Sequence, residues 1–224
     1  SVAINTMSGS TQTDIDDAEI TADTITLNAN DNSTNVGVAG AVSINMTKNE
    51  GAGVGLGVSV NTFSRGTEIS VTSGSLLTAT GLTLLSTSNV GLYGFGIAGG
   101  AGKTGFGGAV AVNTVSGGAV AEVLGGEITA DTVTISAIET NEIWSLGGAL
   151  SLGRKTAVGG AVTVNTITAE TAARLNDATV LGRTNLGAVT VTGSSTSTIG
   201  TIAIAGAAAT ESTGVGVGVA VNVI

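Results

Sequence analysis

The residues that could do chemistry in this chain of 224 residues are few, and their types already narrow the choice. There is no Cys and no His, which removes disulfides, thiolate nucleophiles, zinc sites of the usual Cys/His kind and every triad built on an imidazole base. Catalysis would have to rest on carboxylates. Glu68, Glu122 and Glu170 recur at strand edges, but no basic residue stands beside them in sequence. A carbohydrate-active β-sheet enzyme needs its carboxylates grouped with Lys, Arg or His on one face, so the chain is read as no enzyme and that activity as the least favoured alternative.

The densest acidic group is Asp14-Ile-Asp-Asp-Ala-Glu19, with Asp14 and Asp16 on one strand face. Calcium takes about six to eight oxygen ligands. No other part of the chain reproduces the group, so Asp14 to Glu19 reads as a solvated turn, and neither a metal nor a cofactor is expected. Thr24 and Thr26 match Thr132 and Thr134, which invites comparison with flat, exposed Thr ladders, but Leu82 is aligned with Thr24 in the looser intervening copy and breaks the row. The glycine string ending Gly102-Lys103-Thr104 lacks the earlier glycine of a phosphate-binding loop, since Ile97 or Ala98 stands there, and no helix follows.

The elements that must carry these residues are strands. Hydrophobic residues make up 42% of the chain while aromatics make up 2%, so the apolar content is Val, Ile, Leu and Ala. With 36 Gly and no Pro, flat strands and tight arcs fit better than helices, which each interior Gly weakens by about 1 kcal/mol. Charged residues are 10%, with 16 acidic against 7 basic and a net charge of -9, a surface that repels nucleic acid. Mean hydropathy is +0.47, too apolar for disorder. No apolar run approaches the ~20 residues of a membrane helix, and one Trp, one Tyr and three Phe cannot form the aromatic girdles of a membrane barrel. Ser1 opens directly into strand-like sequence with no charged and then apolar stretch, so no signal peptide is expected within the chain. A soluble segment without membrane insertion is expected.

Internal repetition is the strongest signal. Val-Ala-Ile-Asn5, Val-Ser-Val-Asn61, Val-Ala-Val-Asn113, Val-Thr-Val-Asn165 and Val-Ala-Val-Asn222 recur at steps of 56, 52, 52 and 57 residues. Glu19-Ile-Thr-Ala-Asp-Thr-Ile-Thr-Leu27 matches Glu127-Ile-Thr-Ala-Asp-Thr-Val-Thr-Ile135 in the same phase, and Leu76 to Leu85 is a looser copy. Four copies follow, at about 5–60, 61–112, 113–164 and 165–221. Around Gly53 to Asn61 and Gly214 to Val223 the pattern has strict period two, Val or Leu on one face and Gly, Ala, Ser or Asn on the other.

The branched face is expected to be buried, at about 1.5–3 kcal/mol per side chain, by stacking successive copies. A parallel β-helix with two turns, or three tight ones, in each period would do this. Polar breaks recur at Thr47-Lys-Asn-Glu50, Lys103-Thr104, Arg154-Lys-Thr156 and Glu211-Ser-Thr213, and Lys48, Lys103, Arg154 and Lys155 should form a weakly basic stripe along one edge. Each break is an arc between turns or the tip of a hairpin excursion. The repeated Asn5, Asn61, Asn113, Asn165 and Asn222 read as structural positions, bonding an arc or stacking into an amide ladder.

The string Gly-Gly-Ala-Val-Ala-Val-Asn113-Thr-Val, with Ala-Glu-Val and then Glu127-Ile-Thr-Ala-Asp-Thr-Val-Thr-Ile-Ser-Ala137, resembles the repeats of large bacterial filamentous adhesins and leukotoxin-like proteins, exported as autotransporter passengers or two-partner-secretion substrates. The resemblance covers the whole chain and brings no catalytic residues. It implies a right-handed β-helical rod cut from a longer secreted or surface-displayed bacterial protein, extracellular or on the outer cell surface, which adheres to a host-cell, matrix or bacterial receptor. A self-assembling filament or matrix subunit is the alternative, with copies meeting through cut ends or the Gly/Ala face.

Overall fold

The computed structural model describes residues 1–45 and 51–224, so the Thr47 to Glu50 break and Lys48 lie outside the described residues. Strand takes 88% of it, with no helix. The nine strands are β1 (Val2–Ile15), β2 (Glu19–Thr21), β3 (Thr24–Ile44), β4 (Ala52–Thr72), β5 (Leu76–Leu124), β6 (Glu127–Asn176), β7 (Thr179–Leu181), β8 (Val189–Ala209) and β9 (Thr213–Val223). They form one long parallel sheet that is not closed into a barrel. With no Pro and little charge, β5 and β6 run for 49 and 50 residues, with a register shift between Gly102 and Thr104.

The register is set by the repeat. Val2 pairs with Val58, Val58 with Val110 and Val110 with Val162, and every other ladder likewise joins a residue to its counterpart 51 to 57 positions on. The expectation of two or three turns per period is therefore corrected. A period with two turns would pair residues about half as far apart; here like residues of successive copies are direct neighbours.

Within one copy the chain runs out and returns, placing two layers face to face. Thr67 Oγ1 meets Ser86 Oγ at 2.7 Å, and a side-chain carbon built on Gly57, Gly55 or Gly53 would point at the carbonyl of Ile97, Gly99 or Ala101 respectively. The partners run in opposite directions along the chain, yet the described residues contain no antiparallel ladder. The breaks at 102–104 and 153–155 are thus arches between layers, not hairpins, because each strand has already spent its backbone groups on the copies above and below.

The space between the layers narrows along their length. At one end it holds Leu77, Leu82, Leu84, Ile69, Val71, Ile128, Ile135 and their neighbours, all buried. The middle holds Phe63, Leu92, Val115 and Ile143. At the arch end it holds alanines, Ala98, Ala109, Ala149 and Ala161, among glycines. The wide end turns through a corner that needs a left-handed residue in every copy: Asp17 (φ 46°), Gly74 (φ 91°), Gly125 and Gly126 (φ 94° and 88°) and Asp177 (φ 52°).

The arch end reverses the expected polarity. The Gly/Ala face points inward and the branched face outward: Val38, Val42, Leu56, Leu150, Ile204 and Val217 are all more than half exposed. Burial of the branched face holds at the wide end but fails here. The glycine face can bring two backbones into contact, and a side-chain carbon on Gly55 would lie 2.0 Å from Gly99 O. Sheets with side chains between them stand ~10 Å apart, so layers this close leave room for little beyond Gly, Ala and Ser, with buried Thr163 set against Gly147.

Candidate functional site

The repeated asparagines lie at the boundary between the middle and the glycine-lined lobe. Asn5 Nδ2 donates to Asn61 Oδ1 at 2.9 Å, Asn61 to Asn113 at 2.8 Å, Asn113 to Asn165 at 2.8 Å and Asn165 to Asn222 at 2.9 Å. Asn61, Asn113 and Asn165 are fully buried. Glycines opposite make the room: a side-chain carbon on Gly37 would fall 1.8 Å from Asn61 Oδ1, and one on Gly94 2.1 Å from Asn113 Oδ1. Asn165 Nδ2 also reaches Ser145 Oγ and Thr201 Oγ1 on the facing layer, at 2.9 and 2.7 Å. The ladder ties copy to copy and layer to layer, and its amides are spent on one another.

A second polar group lies nearer the wide end. Arg65 Nε stands 3.1 Å from Asp31 Oδ2, and the Asp31 side chain is 5% exposed. Ser33 Oγ donates to Asp31 Oδ1 at 2.5 Å. In register with Asp31 come Ser88 and Glu139. Glu139 is buried, accepting from Asn141 Nδ2 at 2.6 Å and from Thr171 Oγ1. Three carboxylates never converge to hold a metal among the described residues; Glu139 accepts from its two partners, while Asp31 Oδ2 faces Arg65 Nε as an ion pair without hydrogen-bond geometry.

The carboxylates singled out in sequence sit in three adjacent rows, not one. Glu68 pairs with Val120, Glu122 with Ser70 and Glu170 with Gly118. Register brings Glu122 opposite Arg174, whose guanidinium lies 3.2 Å from Glu122 Oε2 and also bonds Glu170. These hydrogen bonds, Glu170 first and then Glu122, hold the Arg174 pKa above its ordinary value. The reading that no basic residue stands beside these carboxylates in sequence is corrected: Arg174 is four residues from Glu170 and, a period from Glu122, lies opposite it in the sheet. Arg174 bridges Glu122 of one copy and Glu170 of the next, a cross-copy clamp that leaves the group with a net negative charge.

Asp14 is exposed at the end of β1, Asp16 accepts from Thr72 Oγ1, and Asp17 is the left-handed corner residue. The group is a corner. Thr24 pairs with Gly81, not Leu82, and Thr26 pairs with Thr83, Thr134 and, through it, Thr190. The Thr26 row is therefore unbroken across four copies, a correction of one residue in the alignment; the Thr24 row is interrupted by Gly81.

The polar breaks gather at the arch. Arg154 Nε pairs with Glu211 Oε1 at 3.3 Å, so the basic stripe through Lys103, Arg154 and Lys155 meets an acid in the last copy. Below the lobe, Tyr93 Oη donates to Glu142 Oε2 at 3.3 Å and Trp144 Nε1 donates to Glu142 Oε1. The Glu142 charge, then burial, raises the Tyr93 pKa. A hollow of about 190 Å³ beside them is lined by Asn32, Thr34, Asn89, Thr140 and Glu142.

Asp131 carries the clearest loop contact. Its carboxylate accepts from Thr184 N at 2.7 Å, Thr184 Oγ1 at 2.8 Å and Asn185 N at 3.2 Å, fastening the turn between β7 and β8. The Thr184 backbone bond is the main cause of its lowered pKa.

No family model, curated protein or solved structure matches the chain. Sequence reasoning missed what stands out most in the geometry, the two apolar outer faces of the lobe. On both layers, from 36–44 and 52–60 through to 200–208 and 213–221, every copy is free of charged residues. The signal was present in the strict Val/Gly alternation, but alternation alone does not say which face is inside.

Proposed function

We propose that the chain is a structural, adhesive segment of a right-handed parallel β-helix belonging to a secreted or surface-displayed bacterial protein, with one period forming one coil. The observation that carries the reading is the register: each strand pairs with its own counterpart one period on, so further copies extend the stack without altering any copy already present. The amide ladder and the Arg174 clamp support it by tying coil to coil. The resemblance to filamentous adhesin repeats supplies the surface location and adhesion to a host-cell, matrix or bacterial receptor. The reading assigns no reaction to the chain.

Coils of this length advance the stack by only ~4.8 Å each. Such a segment is economical for presenting broad flanks and costly for reach. Beads carrying the chain should be retained on surfaces coated with host cells, extracellular matrix or bacteria, above beads carrying an unrelated β protein. Equal retention of both on all three surfaces would remove the adhesive part of the proposal, whereas a helical circular-dichroism spectrum would remove the fold.

A further inference from the structure

The outer face of the layer formed by 36–44, 93–101, 144–152 and 200–208 is not uniformly apolar; it is patterned. Neighbouring rows across the four copies read Gly40, Ile97, Gly148, Ile204 and Val42, Gly99, Leu150, Gly206. Large and small residues alternate along each row and are out of phase between rows. These two rows form a checkerboard of knobs and hollows, bordered by the uniformly large row Val38, Phe95, Leu146, Ile202 and by Ile44, Ala101, Leu152, Ala208, which alternates in phase with the Val42 row. A hollow of about 360 Å³ surrounds Gly148, walled by Ile97, Leu146, Leu150 and Ile204, and a second of about 120 Å³ lies between Val42 and Leu150 over Gly99. The knobs project: Val42 is 75%, Ile204 61% and Leu150 55% exposed.

We propose that this face is a self-association surface, on which a second copy of the chain docks with its own identical face so that Leu150 and Ile204 of each fill the hollows of the other. Three observations select that occupant. The face carries its own complement, knobs the size of the hollows they alternate with, and a two-fold axis brings such a pattern onto itself. Four strands at ~4.8 Å spacing and nine residues at ~3.3 Å each give ~570 Å² per copy, or ~1,100 Å² for the pair, which clears the ~1,000 Å² of a specific interface. Lipid is the poorer occupant, since a fluid chain gains nothing from shaped hollows and a sheet not closed into a barrel presents edges that hydrocarbon cannot satisfy. The inference goes beyond the coil reading and does not depend on adhesion. It also moves self-association from the Gly/Ala face, which is internal, to the branched one.

Sedimentation equilibrium of the 224-residue chain tests it with two variants. Leu150→Glu, at an exposed position, should raise the dimer dissociation constant at least ~10-fold. Gly148→Leu is the sharper arm, because a side-chain carbon there meets nothing within 4 Å and the fold should tolerate it, checked by an unchanged circular-dichroism spectrum. It adds apolar surface yet fills the hollow, so it should also weaken the dimer at least ~10-fold, where general stickiness would strengthen it. A monomeric parent chain, association unchanged in both variants as pairing through sheet ends would give, tighter association of Gly148→Leu, or flotation with phosphatidylcholine vesicles in place of self-association would each overturn the proposal.

Discussion

Asn113 both accepts and donates within the ladder, so its removal leaves two neighbours short of a partner: Asn61 Nδ2 keeps Ser59 Oγ but loses Asn113 Oδ1, and Asn165 Oδ1 loses the Asn113 donor, both at fully buried residues. Leaving buried polar groups unpaired costs about 1–3 kcal/mol each, and Asn113→Ala should lower stability in a denaturant titration by about 3 kcal/mol. Asn5→Ala removes only the partly exposed end of the ladder and should cost under about 1 kcal/mol. A like cost at both positions would mean that the amides act singly. Asp131 gives a pH prediction. Its pKa is depressed in the folded chain by the Thr184 bonds, so the stabilisation is complete above the ordinary carboxylate range near ~4 and is lost as pH falls through the lower folded value. The protection of the Thr184 and Asn185 amides, exchange measured against the intrinsic rate at each pH, should fall on acidification below pH ~4, and in Asp131→Ala should be low already at neutral pH. The asparagines were legible in sequence because one residue type recurs at one phase. Arg174 with Glu122, and Arg65 with Asp31, were not, because each pair joins different copies, the first along one row and the second between the two layers, and no local spacing records such a meeting.

At the scale of the element, strands were legible from period-two alternation, and their parallel pairing from the repeat. The inside of the lobe was not. Transfer free energy argues for burying Val, but it compares side chains with water and says nothing about a layer of glycine that packs backbone on backbone. Once Gly53, Gly55 and Gly57 face Ala101, Gly99 and Ile97, the Val face has nowhere to go but out. Two substitutions separate the faces. Gly55→Ala places a carbon 2.0 Å from Gly99 O and must part the layers along the lobe, so it should destabilise by about 3 kcal/mol or more. Gly160→Ala, where an added carbon meets nothing within 4 Å, should change stability by less than about 1 kcal/mol, and in the stabilising direction through the unfolded chain. Thermal or denaturant melts of the two single variants suffice; equal costs would contradict the inward orientation of the glycine face.

For the whole molecule the length of the repeat was legible and the length of the coil was not, since a period of 52 residues between Asn113 and Asn165 accommodates one wide coil as readily as two narrow ones. Pairing sets like residues of successive copies side by side, one full period apart. The chain can therefore lose a whole period but not half of one. Deleting 113–164 joins Val112 to Asn165, whose register partners are Val164 and Asn113, so the junction reproduces a native one and every remaining strand keeps a parallel neighbour. This shortened chain should retain a cooperative β-sheet unfolding transition, with a midpoint lowered by the loss of one set of stacking contacts, as expected when stability is a sum over neighbours. Deleting about half as much, 113–138, joins Val112 to Glu139 and sends the return layer of one copy against the outgoing layer of the next. Glycine-lined segments then meet the residues of the wide end, charged Glu139 replaces an amide in the ladder, and folding should fail. Circular dichroism and a single cooperative melt in the half-period variant, equal to that of the full-period variant, would show that the coil is half as long as the pairing makes it.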